Sequence, residues 1–108
     1  KLALNFCVYI EIIVRSFDKY HKYTIGQELR NFSKEILFTI HRANALKEKK
    51  EMLQKLRDKC EDTKMLLQLA KELKAFKSFN QFEHSSKLCV DICKQSQAWL
   101  SFSARVIK

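Results

Sequence analysis

The sequence predicts an all-α fold: one domain over residues 1–108, built as an antiparallel, up-down-up-down four-helix bundle. Three observations carry this. Proline is absent and glycine occurs once in 108 residues, which removes the turn chemistry of sandwiches and the glycine-rich loops of phosphate-cradling folds. Apolar residues recur at spacings of three and four through most of the chain. The polar breaks between these stretches are short, and two of them have the form of a capping box. With 46% hydrophobic and 31% charged residues, the chain has both a core and a solvated exterior.

The first helix is expected over residues 3–17. Leu4, Phe6, Val8, Ile10, Ile12 and Val14 also alternate like a strand, so periodicity leaves both readings open here. As a helix, Ala3, Phe6, Ile10, Ile13 and Phe17 form one stripe while Leu4, Val8 and Ile12 lie elsewhere, making it apolar on nearly every side. Such a helix needs a second cover beyond its own core. The run from Leu2 to Val14 is shorter than the roughly 20 residues of a membrane span and is interrupted by Asn5 and Glu11. No small-residue cleavage site follows it and Arg15 closes it, so a signal peptide is not expected.

A polar, aromatic turn from Asp18 to Tyr23 leads to Thr24-Ile25-Gly26-Gln27, the first capping box, which opens a second helix over residues 24–45. Its stripe is Ile25, Leu29, Phe32, Ile36, Ile40 and Ala43, and the pattern fades from Arg42 to Leu46. A third helix over residues 47–75 places Leu53, Leu56, Cys60, Thr63, Leu67 and Ala70 in one seam, widened by Leu66, Leu69, Leu73 and Phe76 near its end. Ser78-Phe79-Asn80-Gln81 is the second capping box. It starts a fourth helix over residues 79–103 with the stripe Phe82, Ser85, Cys89, Ile92, Ser96 and Trp99, whose small members permit close approach of a neighbour. Leu100, Phe102 and Val106 follow Trp99, for which a core-capping role is expected.

Lys and Arg number 21 against 12 Asp and Glu, a net charge of +9 and a pI near 9.5. This balance favours a polyanionic partner, nucleic acid first and anionic lipid second. Lysine dominates the cations, which suits phosphate contact better than bidentate reading of base edges. Lys50, Arg57, Lys64 and Lys71 recur every seven residues on the third helix and so lie nearly in a row, drifting about 20° per heptad. Lys47, Gln54, Glu61 and Gln68 run beside them. The bland alternative is a solvated face with intrahelical pairs such as Glu51 with Lys55. Arg30, Lys34 and His41 share a face of the second helix and would extend the row if the two helices are neighbours. Tyr20, His21, Lys22 and Tyr23 could stack on bases, but tyrosines clamping the turn onto the bundle end are the simpler expectation.

Catalytic and metal chemistry find little support. Cys7, Cys60, Cys89 and Cys93 match no zinc spacing, and reduced, buried thiols are expected, with a cytoplasmic location. None of His21, His41 or His84 has a Glu three residues before it, as a carboxylate-bridged di-iron bundle requires. His84 reads as a surface histidine. No enzyme activity, metal or cofactor is expected.

From the second helix onward the chain resembles the bacterial four-helix bundle protein family, and within it the accessory variability determinant proteins of diversity-generating retroelements. The matching pieces are Lys22-Tyr23-Thr24-Ile25-Gly26-Gln27-Glu28-Leu29, then Met65-Leu66-Leu67-Gln68-Leu69-Ala70-Lys71-Glu72-Leu73, then Phe82-Glu83-His84-Ser85-Ser86-Lys87-Leu88 with Trp99-Leu100. Together they span about three quarters of the chain, and their joint spacing carries the likeness. The wider family includes proteins encoded in intervening sequences of 23S ribosomal RNA genes, which carry a Ser-Ile-x-x-Asn-Ile-Ala-Glu-Gly-like stretch where this chain reads Phe32-Ser33-Lys34-Glu35-Ile36-Leu37-Phe38-Thr39-Ile40. That departure favours the retroelement branch. The resemblance implies a basic bundle forming a ring-like homopentamer, binding RNA or DNA with weak sequence choice and partnering a retroelement reverse transcriptase, without catalysis of its own. A general nucleic-acid-binding bundle of the ribosomal type, a secreted helical cytokine-like protein and a plain oligomeric scaffold are the competing readings.

Overall fold

A computed structural model describes the backbone of residues 1–106 and the side chains of residues 1–103. All regular secondary structure among the described residues is helical: α1 (Leu2–Arg15), α2 (Lys19–Tyr23), α3 (Ile25–Ala45), α4 (Lys50–Glu72) and α5 (Phe79–Val106). α1 packs on α3, α3 on α4, α4 on α5, and α5 returns to α1, which closes a ring of four long helices. Short connections make successive long helices antiparallel, and the bundle measures 50 × 19 × 19 Å.

The core is the set of stripes. Phe6, Ile10, Ile13, Leu29, Ile36, Leu53, Leu56, Leu67 and Ile92 are at most 2% exposed, each contributing about 1.5–3 kcal/mol by leaving water. The α4 seam is buried throughout, from Leu53 to Ala70. Thr63, Ser33, Ser85 and Ser96 are buried with it, and their hydroxyls donate to carbonyls three or four residues earlier, so these polar groups cost little inside. Leu69 and Leu73, expected to widen that seam, instead stand 49% and 47% exposed. Trp99 is half-buried against the core, and the Val106 side chain lies outside the described residues.

α1 is a helix and not a strand, because a bundle offers its apolar residues one partner face. Its stripe is buried while Leu4, Val8 and Ile12 are 51%, 51% and 53% exposed. These three border a shallow groove shared with Tyr9, His84 and Leu88, between α1 and α5.

The connections differ from the sequence expectation. Residues 19–23 form a one-turn helix rather than an open turn. Asp18 caps it, accepting from the His21 amide at 3.0 Å and from His21 Nδ1 at 2.9 Å, and these contacts hold its carboxyl below the ordinary carboxylate range. Thr24 stands at the N-cap of α3, but its side chain does not cap that helix. Its hydroxyl donates backward to the Tyr20 carbonyl at 2.8 Å, because α2 ends on the same residue and claims it first. Tyr20 and Tyr23 are 73% and 66% exposed and clamp nothing. Residues 46–49 are irregular, and Lys49 Nζ donates to the carbonyls of Ala43 and Leu46, closing α3.

α4 ends at Glu72 rather than continuing to residue 75. Lys74 takes φ 60°, the Lys74 amide donates to the Lys71 carbonyl and the Ala75 amide to the Ala70 carbonyl, which is a Schellman termination built on lysine. The second capping box forms in altered register. Ser78 Oγ accepts from the Gln81 amide at 3.3 Å, but Gln81 Oε1 accepts from the Lys77 amide, one residue earlier than the motif specifies.

Candidate nucleic-acid interface

Lys50, Arg57, Lys64 and Lys71 all lie on the one helix α4. A heptad advances about 10.5 Å along a helix, close to three phosphate steps of about 3.4 Å along one strand. The row therefore spans about 30 Å. Its second half runs along the boundary with α5: Lys71 Nζ sits 5.0 Å from the Phe82 ring centre, and Lys64 acts electrostatically on Cys89 and Cys93.

Three of these cations have carboxylates beside them. Arg57 lies 3.6 Å from Asp58, Lys64 3.2 Å from Glu61 and Lys71 3.8 Å from Glu72. The Glu61 hydrogen bond pushes the Lys64 ammonium above its ordinary value. All three carboxylates are more than half exposed, and such surface pairs are worth roughly 0–1 kcal/mol. A phosphate can compete for the cations at little cost. The pair expected between Glu51 and Lys55 is not formed among the described residues.

The other predicted cations lie elsewhere. Lys47 sits in the 46–49 connection and not on α4, since the helix begins only once Lys49 has been drawn back onto α3. α3 and α4 are neighbours, as the extension of the row required, but Arg30 and Lys34 turn to the opposite neighbour. Arg30 Nε lies 3.3 Å from Glu11 of α1, and Lys34 Nζ 4.0 Å from the same carboxylate. They do not extend the α4 row. The α4 residue that does reach α3 is Lys59, 3.2 Å from Glu35 and 4.2 Å above the Phe32 ring.

The basic run continues past α4, through Lys74 and Lys77, around the turn into α5. These lysines, with Lys71, border a cleft of about 240 Å³ whose walls include Phe76, Phe79 and Phe82. Periodicity passes over them because they lie off the helix, but the interleaving of Lys71, Lys74 and Lys77 with three phenylalanines is visible in the sequence.

Cys7, Cys60, Cys89 and Cys93 are buried and unpaired by disulfides. Cys89 Sγ donates to the Cys60 carbonyl at 3.6 Å, and Cys60 Sγ lies 3.8 Å from Ser96 Oγ. The neighbouring Cys60 and Cys89 thiols hold Cys93 well below the ordinary thiol range, while Cys93 and burial push Cys60 and Cys89 up. No group of three histidine, cysteine or carboxylate side chains is arranged to hold a metal among the described residues. His84 stacks edge-on against Tyr9, with ring centres 4.5 Å apart. No described helix is long and apolar enough to cross a membrane.

Comparison of the chain with protein-family models, with curated proteins and with solved structures gives no match.

Proposed function

We propose that this protein is a non-enzymatic, nucleic-acid-binding accessory subunit of a diversity-generating retroelement, acting in the cytoplasm beside a reverse transcriptase. The observation that carries nucleic-acid binding is the alignment of Lys50, Arg57, Lys64 and Lys71 on one helix, opposed only by exposed, exchangeable carboxylates. The retroelement context and the reverse transcriptase partner rest on the spaced likeness in the helix-forming segments.

The distribution of exposed apolar side chains supports self-association. Leu4, Val8 and Ile12 lie on α1, and Met65 and Leu69 on α4 with Leu73 at its C-cap, two helices on opposite sides of the ring. Two different patches on one chain suit a head-to-tail contact, and such contacts close into rings when the rotation permits. A homopentamer would gather five basic rows on one particle and raise avidity for a long polyanion.

Binding to RNA or DNA should weaken linearly in log-log fashion with salt, with a slope of about −0.7 to −0.9 per phosphate contacted. Replacing Lys50, Arg57, Lys64 and Lys71 together by Glu should abolish binding while the helical circular dichroism persists. Undiminished binding by that variant removes α4 from the interface. Co-purification with the reverse transcriptase of the same retroelement tests the partner.

A further inference from the structure

Lys74 occupies a backbone position that favours glycine. At φ 60° its Cβ crowds the following carbonyl, and helices that end in this way use glycine, or sometimes asparagine, there. The chain keeps a long cation where a glycine would relieve the backbone, and a residue held against its conformational preference invites a functional account of its side chain.

The surroundings supply one. Phe79, the first residue of α5, is 64% exposed, although it sits beside an aromatic cluster able to bury it: its ring centre is 5.8 Å from Phe82, which in turn contacts Phe76. Lys71, Lys74 and Lys77 stand around the same cleft. Neither Lys74 nor Lys77 is paired with a carboxylate among the described residues. Ser78 accepts the Gln81 amide, which leaves its hydroxyl proton free to donate. At about 240 Å³ the cleft falls below the roughly 300–1,000 Å³ of a pocket for a whole drug-sized ligand, and suits one flat group with a phosphate at each side.

We propose that the α4–α5 corner binds single-stranded nucleic acid, one unstacked base lying on Phe79 and its flanking phosphates on Lys74, Lys77 and Lys71. This rests on the nucleic-acid-binding reading above and narrows it from polyanions in general to single strands. A duplex offers its phosphates but keeps its base faces stacked, so only a single strand can use both the lysines and the ring. Continuity with the α4 row, which ends at Lys71, lets one strand run along the helix and finish at the corner.

The test measures fluorescence anisotropy of a labelled oligothymidylate, an abasic oligomer of equal length and a duplex of equal length. The proteins are the unmodified full chain, Phe79→Ala, Lys74→Gly and the pair Lys50→Glu with Arg57→Glu. Phe79→Ala should weaken oligothymidylate by about fivefold to 150-fold, the value of one stacked base, and leave the abasic oligomer and the duplex unchanged. Lys74→Gly should weaken both single strands and also raise the midpoint of thermal unfolding, a combination that a purely structural lysine would not produce. Full oligothymidylate affinity in both corner variants, with loss in the Lys50→Glu, Arg57→Glu pair, overturns the corner and leaves the α4 row standing. An unmodified chain that binds none of the three probes overturns both. Equal losses on thymidylate and abasic strands in Phe79→Ala overturn base stacking. Binding of the unmodified chain to phosphatidylserine vesicles and to no oligomer assigns the corner to a membrane surface and overturns the proposal.

Discussion

Arg30 of α3 and Glu11 of α1 form an ion pair between helices, with Nε 3.3 Å from Oε2. The contact is not aligned as a hydrogen bond, so Arg30 Nε is buried with the Glu11 charge as its compensation. Glu11→Ala would remove the carboxylate that compensates that nitrogen, at a cost of about 1–3 kcal/mol. Chemical denaturation should register the loss as a lower midpoint with unchanged slope. Arg30→Ala should leave nucleic-acid affinity as it is, because the guanidinium belongs to the α1–α3 contact.

Gly26 is required by space. A Cβ there would stand 2.8 Å from the His21 carbonyl oxygen, 2.8 Å from Val14 Cγ1 and 3.3 Å from Phe17 Cδ2. Alanine would add about 1 kcal/mol of helix propensity, but the clash with a backbone oxygen and two core side chains costs about 1–3 kcal/mol. Gly26→Ala should therefore lower the thermal midpoint, reversing the usual effect of glycine replacement inside a helix.

The α1 groove leads to a prediction about assembly. Replacing Leu4, Val8 and Ile12 together by Gln removes exposed apolar surface and touches none of the buried stripe. Light scattering coupled to gel filtration should then report a smaller particle, with circular dichroism and thermal midpoint of the monomer preserved. An unchanged mass would exclude this face from the interface.

Cys93 should keep its thiolate to lower pH than Cys60 or Cys89. The neighbouring Cys60 and Cys89 thiols favour its thiolate, and a lowered pKa means that the thiolate persists as pH falls. The alkylation rate of Cys93 should therefore have its pH midpoint below the free-thiol value of about 8.5. Cys60 and Cys89, pushed upward, should show midpoints above that value. Iodoacetamide labelling followed by peptide mass mapping distinguishes them. All four thiols should titrate in denaturant without reductant, as expected of the unpaired cysteines.

What could be read from residues alone was the core. The 3-4 spacing of Leu53, Leu56, Cys60, Thr63, Leu67 and Ala70 identifies a buried face because burial requires that spacing, whatever the neighbours are. Arg30 and Lys34 were harder, since a helical wheel gives their angle on α3 but not whether α1 or α4 stands on that side. The same stripes are compatible with a bundle turning either way. The 3-4 pattern from Leu53 onward does not fix where its helix begins, and α4 starts only at Lys50, after Lys49 has reached back to Ala43 and Leu46. The turn at Lys74 carries no glycine or asparagine, so Leu73-Lys74-Ala75 reads as continuing helix. Thr24 has the composition of a cap, but it is claimed by Tyr20, because a one-turn helix precedes it.

That one-turn helix governs how the chain can exchange with its copies. Residues 16–24 are tied by the Asp18 and Thr24 side-chain bonds, by Ser16 donating to Ile13, and by Gln81 of α5 donating to Ser16. Three-dimensional swapping needs a hinge loop that can straighten and carry an element into another protomer. The link between α1 and α3 offers no such slack, so each α1 stays in the bundle that it helped to fold. A particle built through the α1 face should therefore form without exchange of α1 and come apart on dilution with that helix still packed in its own bundle.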